Sequence, residues 1–148
     1  MLSIDTNLLL HSLNLDSPSH NEAYDWLTSI QMDEDIAISE FVLAELYCLL
    51  RNSAVLPSPL SASEASGVID AYRNHPCWRL IGFPLESRTL HDRMWEFSKQ
   101  KSFAFRRLYD VRTALTMIDQ GVTELATANV KDFQQLGFRR VWNPLKEA

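Results

Sequence analysis

Glycine is scarce in this chain, with only Gly67, Gly82, Gly121 and Gly137 among 148 residues. Neither a GxGxxG turn nor a P-loop can be assembled from them, which excludes a Rossmann-type nucleotide site and a Walker-type ATPase. Lysine and arginine are absent from residues 1–50, and the formal net charge is −5. That balance excludes a basic coat for nucleic acid at large. Cysteine occurs twice, as Cys48 and Cys77 without CxxC spacing, so thiolate metal chemistry is not expected and Cys48, inside an apolar run, reads as a small core residue. No apolar run approaches the ~18 residues of a membrane span. The first residues lead straight into a strand-like run with no basic stretch or small-residue cleavage site, so no membrane association and a cytoplasmic location are expected. Internal repeats and low-complexity tracts are also missing, and His11, His20, His75 and His91 share no spacing that would suggest a general base.

What is present suits one globular core. The chain is 46% hydrophobic and 22% charged, ordinary values for a soluble protein of one domain spanning 1–148. Apolar periodicity predicts strands over 2–5, 36–38, 78–82, 124–127 and 139–142. Helices are predicted over about 19–31, 40–52, 61–75, 86–99 and 107–120, with a break around Pro57 and Pro59. Ser19 with Glu22, and Ser61 with Glu64, have the spacing of capping boxes. Strands alternating with helices imply an α/β fold, a mainly parallel sheet covered on both faces.

Four acids are placed where a lone carboxylate is costly. Asp5 ends the run Leu2-Ser3-Ile4, at the C-terminal tip of a strand where open α/β sheets hold their sites. Glu45 has Phe41, Val42 and Leu49 as helical neighbours and is expected to face inward. Asp110 opens the helical pattern Asp110, Ala114, Met117, Ile118, and Asp132 follows the strand-like run Thr123-Glu124-Leu125-Ala126-Thr127 in a loop ending at Phe133. A hard divalent cation would gather such charges. Helix capping is the alternative for Asp5, Asp110 and Asp132, whereas a mid-helix Glu45 has no capping job. Lys99, Lys101, Arg106, Arg107 and Arg112 border Asp110 in sequence. They read either as a solvated helix face or as contacts to a phosphate backbone.

The motifs around these acids resemble those of the PIN-domain family, specifically the VapC-type toxin ribonucleases of toxin–antitoxin systems. Ser3-Ile4-Asp5-Thr6-Asn7-Leu8-Leu9-Leu10 looks like the family's opening strand with its Asp-Thr-Asn. Ser39-Glu40-Phe41-Val42-Leu43-Ala44-Glu45-Leu46 is similar to its second motif, and the stretch from Leu108 to Met117 to its third, with Asp110 as the acid. Leu125-Ala126-Thr127-Ala128-Asn129-Val130-Lys131-Asp132-Phe133 matches the closing motif, and Val141-Trp142-Asn143-Pro144 is like the final strand. The likeness runs nearly end to end. Two departures stand out: Asn129 occupies a place where many relatives carry aspartate, and Arg112 and Thr113 replace small residues after the third acid.

The resemblance implies a three-layer α/β/α PIN-like domain and an Mg²⁺-dependent endoribonuclease, with Mn²⁺ as the alternative ion. Asp5 and Asp110 would hold the metal, with Glu45 and Asp132 bound directly or through water. Thr6, Asn7 and Asn129 would touch the ligand carboxylates or the phosphate, and Arg106, Arg107 and Arg112 the RNA. Of the aromatics Trp26, Trp78, Trp95, Phe103 and Phe105, most are expected in the core, and Phe103 and Phe105 are those placed to stack on bases. A small antitoxin partner and a homodimer are also implied, with a seam near Ala23, Trp26 and Leu27 or Leu43 and Tyr47. Two alternatives stay open: a PIN nuclease of RNA processing outside toxin–antitoxin biology, and a non-catalytic PIN-like binding module.

Overall fold

The computed structural model describes residues 1–145. Five short strands form one parallel sheet: β1 (Leu2–Ile4), β2 (Ile36–Ser39), β3 (Arg79–Ile81), β4 (Glu124–Ala126) and β5 (Arg140–Trp142). Their spatial order is β3-β2-β1-β4-β5. Ile4 and all four residues of β2 are buried, as strands covered on both faces must be. The buried Ser3 hydroxyl donates to the Ala37 carbonyl at 2.8 Å, so the polar atom carries no unpaired cost.

Seven helices occur among the described residues: α1 (Thr6–Leu13), α2 (His20–Ser29), α3 (Glu40–Leu50), α4 (Ala62–Arg73), α5 (Ser87–Ser98), α6 (Arg107–Asp119) and α7 (Val130–Phe133). Helix α1 packs on α2 and α3, and α3 on α4, while α5 packs on α6 and α6 on α7. Right-handed crossovers place these two groups on opposite faces, because the chain runs outward from β1 to β3 and then returns past β1 to β4. The core between the layers includes Ile4, Leu8, Leu9, Ile38, Leu46, Leu115 and Leu125, all fully buried. Each such side chain contributes on the order of 1.5–3 kcal/mol relative to exposure. None of the described helices is long and apolar enough to cross a membrane.

Three local expectations are corrected. Helix α1 was not anticipated: β1 stops at Ile4, and Asp5 is at once the end of the strand and the N-cap of the helix, leaving no turn residues to mark the change. The Ser61–Glu64 capping box forms, but Ser19 makes no side-chain cap bond, so the Ser19–Glu22 box does not. Cys48 is exposed rather than in the core, because α3 turns Val42, Leu43, Leu46 and Leu50 inward and leaves Cys48 on the outer side.

Candidate functional site

The strand order reverses direction between β1 and β4, and this switch point carries the first acid. Asp5 follows β1 with extended backbone, φ −78° and ψ 155°, and its amide donates to the Ala126 carbonyl at 2.9 Å. One carboxylate oxygen accepts the Thr6 N–H at 2.8 Å. The other accepts the Asn7 amide at 3.0 Å and the Thr127 hydroxyl at 2.7 Å. Thr127, directly after β4, also accepts the Asn129 N–H at 2.9 Å, and Asn7 accepts the Ala128 N–H at 3.1 Å. The carboxylate is thereby fixed across the two strand ends. Burial pushes the Asp5 carboxyl up, against the bonds from Thr127, Thr6 and Asn7, and the charge of Asp132 adds to the rise.

The other three acids converge on it from separate helices. Asp110, half-buried in the first turn of α6, is pushed up to about 6, chiefly by burial and then by the charges of Asp5, Glu45 and Asp132. Arg107 offsets part of that rise. The field at Asp110 therefore registers all three partners at once. Glu45 does not face inward as expected. It is exposed on α3 beside the stripe of Val42, Leu43, Leu46 and Leu50 that enters the core. Its carboxyl is nonetheless pushed up, by lost hydration first and by the charge of Asp5 second, while the Thr6 hydroxyl opposes the rise. Both facts hold for a side chain standing at the lip of a cleft, open behind and facing another carboxylate. Asp132 sits on the short helix α7, not in a loop, and is exposed.

The donor set is oxygen throughout, which suits a hard divalent ion. No ion pair among the described residues involves any of the four acids. Apart from the longer-range field of Arg107, the negative charge is left for a cation to balance. Among the described residues no three His, Cys, Asp or Glu side chains are close enough to enclose an ion as they stand. Mg²⁺ tolerates that arrangement, since it takes one or two carboxylates and keeps several waters. The residues present fit the ion.

The remaining expected site residues divide. Thr6 is buried, its hydroxyl lies 3.5 Å from the Val42 carbonyl, and it also acts on the Glu45 carboxyl. Asn7 holds Asp5 and the Ala128 backbone. Asn129 is exposed and caps α7 without a side-chain bond. Arg107 donates to the Asp132 carbonyl at 3.3 and 3.1 Å, which ties α7 to α6, and stacks over Phe103. Arg106 is exposed over Phe105, itself 80% exposed. Arg112 lies 5.1 Å from the Phe41 ring centre and 5.4 Å from that of Tyr109. Lys99 is paired with Glu96. Of the tryptophans, Trp78 is buried, Trp26 half-buried and Trp95 exposed.

Thr127 is the functional residue that the sequence reading missed. The available signal was a buried threonine closing a strand opposite Asp5. Of the residues expected near a dimer seam, Ala23, Leu27 and Leu43 are buried in the protein's own core, and Trp26 and Tyr47 are half-buried against it.

Comparison with known proteins places the chain in a family and a fold. A family model described as PIN domain matches residues 2–139. Ribonuclease VapC24 of Mycobacterium tuberculosis is 42% identical over 145 residues, covering 98% of this chain and 97% of the relative. Two solved structures share the fold. Mycobacterium tuberculosis VapC20, described as a Sarcin-Ricin loop cleaving toxin, has a TM-score of 0.66 at 18% identity, covering 93% of this chain and 96% of its own. VapBC2 from Rickettsia felis, bound to a DNA fragment from their promoter, has a TM-score of 0.64 at 20% identity, covering 94% and 97%.

Proposed function

Because the chain belongs to the PIN domain family, we propose that it is a divalent-metal-dependent endoribonuclease acting as the toxin of a toxin–antitoxin pair. The observation that carries this reading is the Asp5 carboxylate fixed at the switch point by Thr6, Asn7 and Thr127, with the charges of Glu45, Asp110 and Asp132 gathered about it. Full-length identity to a named ribonuclease supports the chemistry, and the VapBC2 assembly supports a cognate antitoxin.

Asp5 and Asp110 would hold Mg²⁺, or Mn²⁺ in its place, with Glu45 and Asp132 bound directly or through water. Bound there, the ion would supply a water of lowered pKa for in-line attack on phosphorus and would neutralise charge on the phosphoryl oxygens. The chain's own contribution is positioning. Asn7 and Thr127 lock the Asp5 carboxylate, Thr6 steadies Glu45, and Arg107 fixes α7 so that Asp132 stays near Asp110. Arg106 and Phe105, both open to solvent, offer a cation and a stacking face to a single strand passing the cleft. The protein works in the cytoplasm as a homodimer, restrained by a small antitoxin.

The products expected are a 5′-phosphate and a 3′-hydroxyl. The test is incubation of purified protein with a pool of single-stranded RNA and Mg²⁺, with and without chelator, followed by digestion with a 5′-monophosphate-dependent exonuclease. Chelator-sensitive cleavage giving digestible fragments is expected. Cleavage that survives the chelator, or ends carrying a 2′,3′-cyclic phosphate, contradicts the reading.

A further inference from the structure

Arg112 has donors and no acceptor. Its guanidinium is 5.1 Å from the Phe41 ring centre and 5.4 Å from that of Tyr109. Among the described residues it forms no ion pair, and its Nε is buried without a hydrogen-bond partner. A guanidinium within reach of two aromatic rings is a fork of donors held in place by its neighbours. Beside it lies a cavity of about 400 Å³ lined by Phe41, Phe83, Pro84, Ser87, His91 and Arg112.

The residues that line the cavity neighbour the acids along the chain. Phe41 is one turn before Glu45 on α3, and Arg112 is two residues beyond Asp110 on α6. Phe83 and Pro84 follow β3, at the same C-terminal edge of the sheet as Asp5. Phe83 is 81% exposed and meets Phe41 edge-on, 5.5 Å between centres. Its loop is tethered by the Gln120 amide, which donates to the carbonyls of Gly82 at 2.9 Å and Phe83 at 3.3 Å. His91 Nδ1 is engaged with the Ser87 carbonyl at 2.7 Å, whereas the Arg112 Nε is the buried donor here that lacks a partner.

An open aromatic face beside a fork of donors matches a nucleobase with two acceptors on one edge. Bases of single-stranded RNA stack on aromatic rings and are read on such edges, and Arg pairs bidentately with guanine O6 and N7. We propose that this pocket receives one unpaired guanine next to the scissile phosphate, stacked on Phe83 and read by Arg112. The proposal rests on the endoribonuclease reading above.

The test compares wild type with Arg112→Lys, which keeps the charge but loses the fork, and Phe83→Ala, at a side chain too exposed to matter for folding. Each cleaves a pool of randomised single-stranded RNA with Mg²⁺, and the cut ends are sequenced. Guanine should be enriched at one position in the wild type, and 7-deazaguanine there should slow cleavage on the order of tenfold. Both variants should cut more slowly and without that preference, and Arg112→Lys should ignore the deaza substitution. Wild-type guanine preference retained in both variants overturns the proposal, as does wild-type cleavage with no base preference. Unchanged preference with loss of binding to a partner protein would assign the pocket to protein contact instead. If the wild type cuts no RNA with Mg²⁺, the nuclease reading fails first and takes this proposal with it.

Discussion

Replacing Asp110 by Asn in protein kept free of divalent ions should stabilise it at neutral pH. The Asp110 carboxyl is pushed from 3.8 up to about 6, and each unit corresponds to about 1.36 kcal/mol, which sets a ceiling of about 3 kcal/mol. Solvent reaches the open side of this half-buried group, so a gain of about 1–2 kcal/mol is expected. A raised carboxyl pKa means that the native state holds its proton more tightly than the unfolded chain does. The associated stability is therefore fully present below about pH 4 and is lost as pH rises through about 6. Asn carries no charge to desolvate or to repel Asp5 and Glu45. In urea unfolding with chelator, Asp110→Asn should exceed wild type at pH 7.5 and converge with it near pH 4. In thermal unfolding the same gain corresponds to a rise of about 2–4 °C per kcal/mol. A variant no more stable than wild type at pH 7.5, or one whose advantage is equal at both pH values, refutes the reasoning.

Four further outcomes are expected. Arg106→Glu should lower the slope of log K against log salt for RNA binding by about 0.7 per lost phosphate contact, with the thermal midpoint unchanged. Arg107→Ala should instead cost about 1 kcal/mol, since it releases the Asp132 carbonyl and loosens α7; a midpoint equal to wild type would count against that anchor. Thr127→Val should cost about 1–3 kcal/mol by removing a buried donor from Asp5. It should also push the Asp5 carboxyl further up, so Mg²⁺ binding followed by calorimetry should weaken more at pH 6 than at pH 8, and an equal loss at both speaks against it. Light scattering at micromolar concentration should give a dimer, and a monomer there is evidence against the proposed assembly.

Much of the architecture was legible because buried strands and amphipathic helices differ in period. The runs at 36–38 and 124–127 were read within a residue of β2 and β4, and Asp110 fell in the first turn of α6 as its Ala114 and Met117 spacing implied. Helix α1 was not legible, since one residue both ends β1 and caps the helix and Leu8, Leu9 and Leu10 suit either state. Glu45 was placed inward because its helical neighbours are apolar. The structure shows how that inference fails: only Val42 of those neighbours is deeply buried, and Glu45 faces the cleft from the rim of the stripe. Thr127 and the tie from Arg107 to α7 join residues distant in sequence, and no local pattern announces such a bond.

The account stands on a cation held by Asp5 and Asp110, and the most direct test is the initial rate of single-stranded RNA cleavage against Mg²⁺ concentration, measured side by side for wild type and Asp5→Asn. The wild-type rate should rise to saturation and vanish with chelator. Asp5→Asn should give no cleavage at any Mg²⁺ concentration, while its metal-free thermal midpoint matches or exceeds that of wild type, since repulsion within the cluster is relieved. Asp5→Asn cleaving at the wild-type rate, with chelator sensitivity retained, would contradict the proposed ligand set.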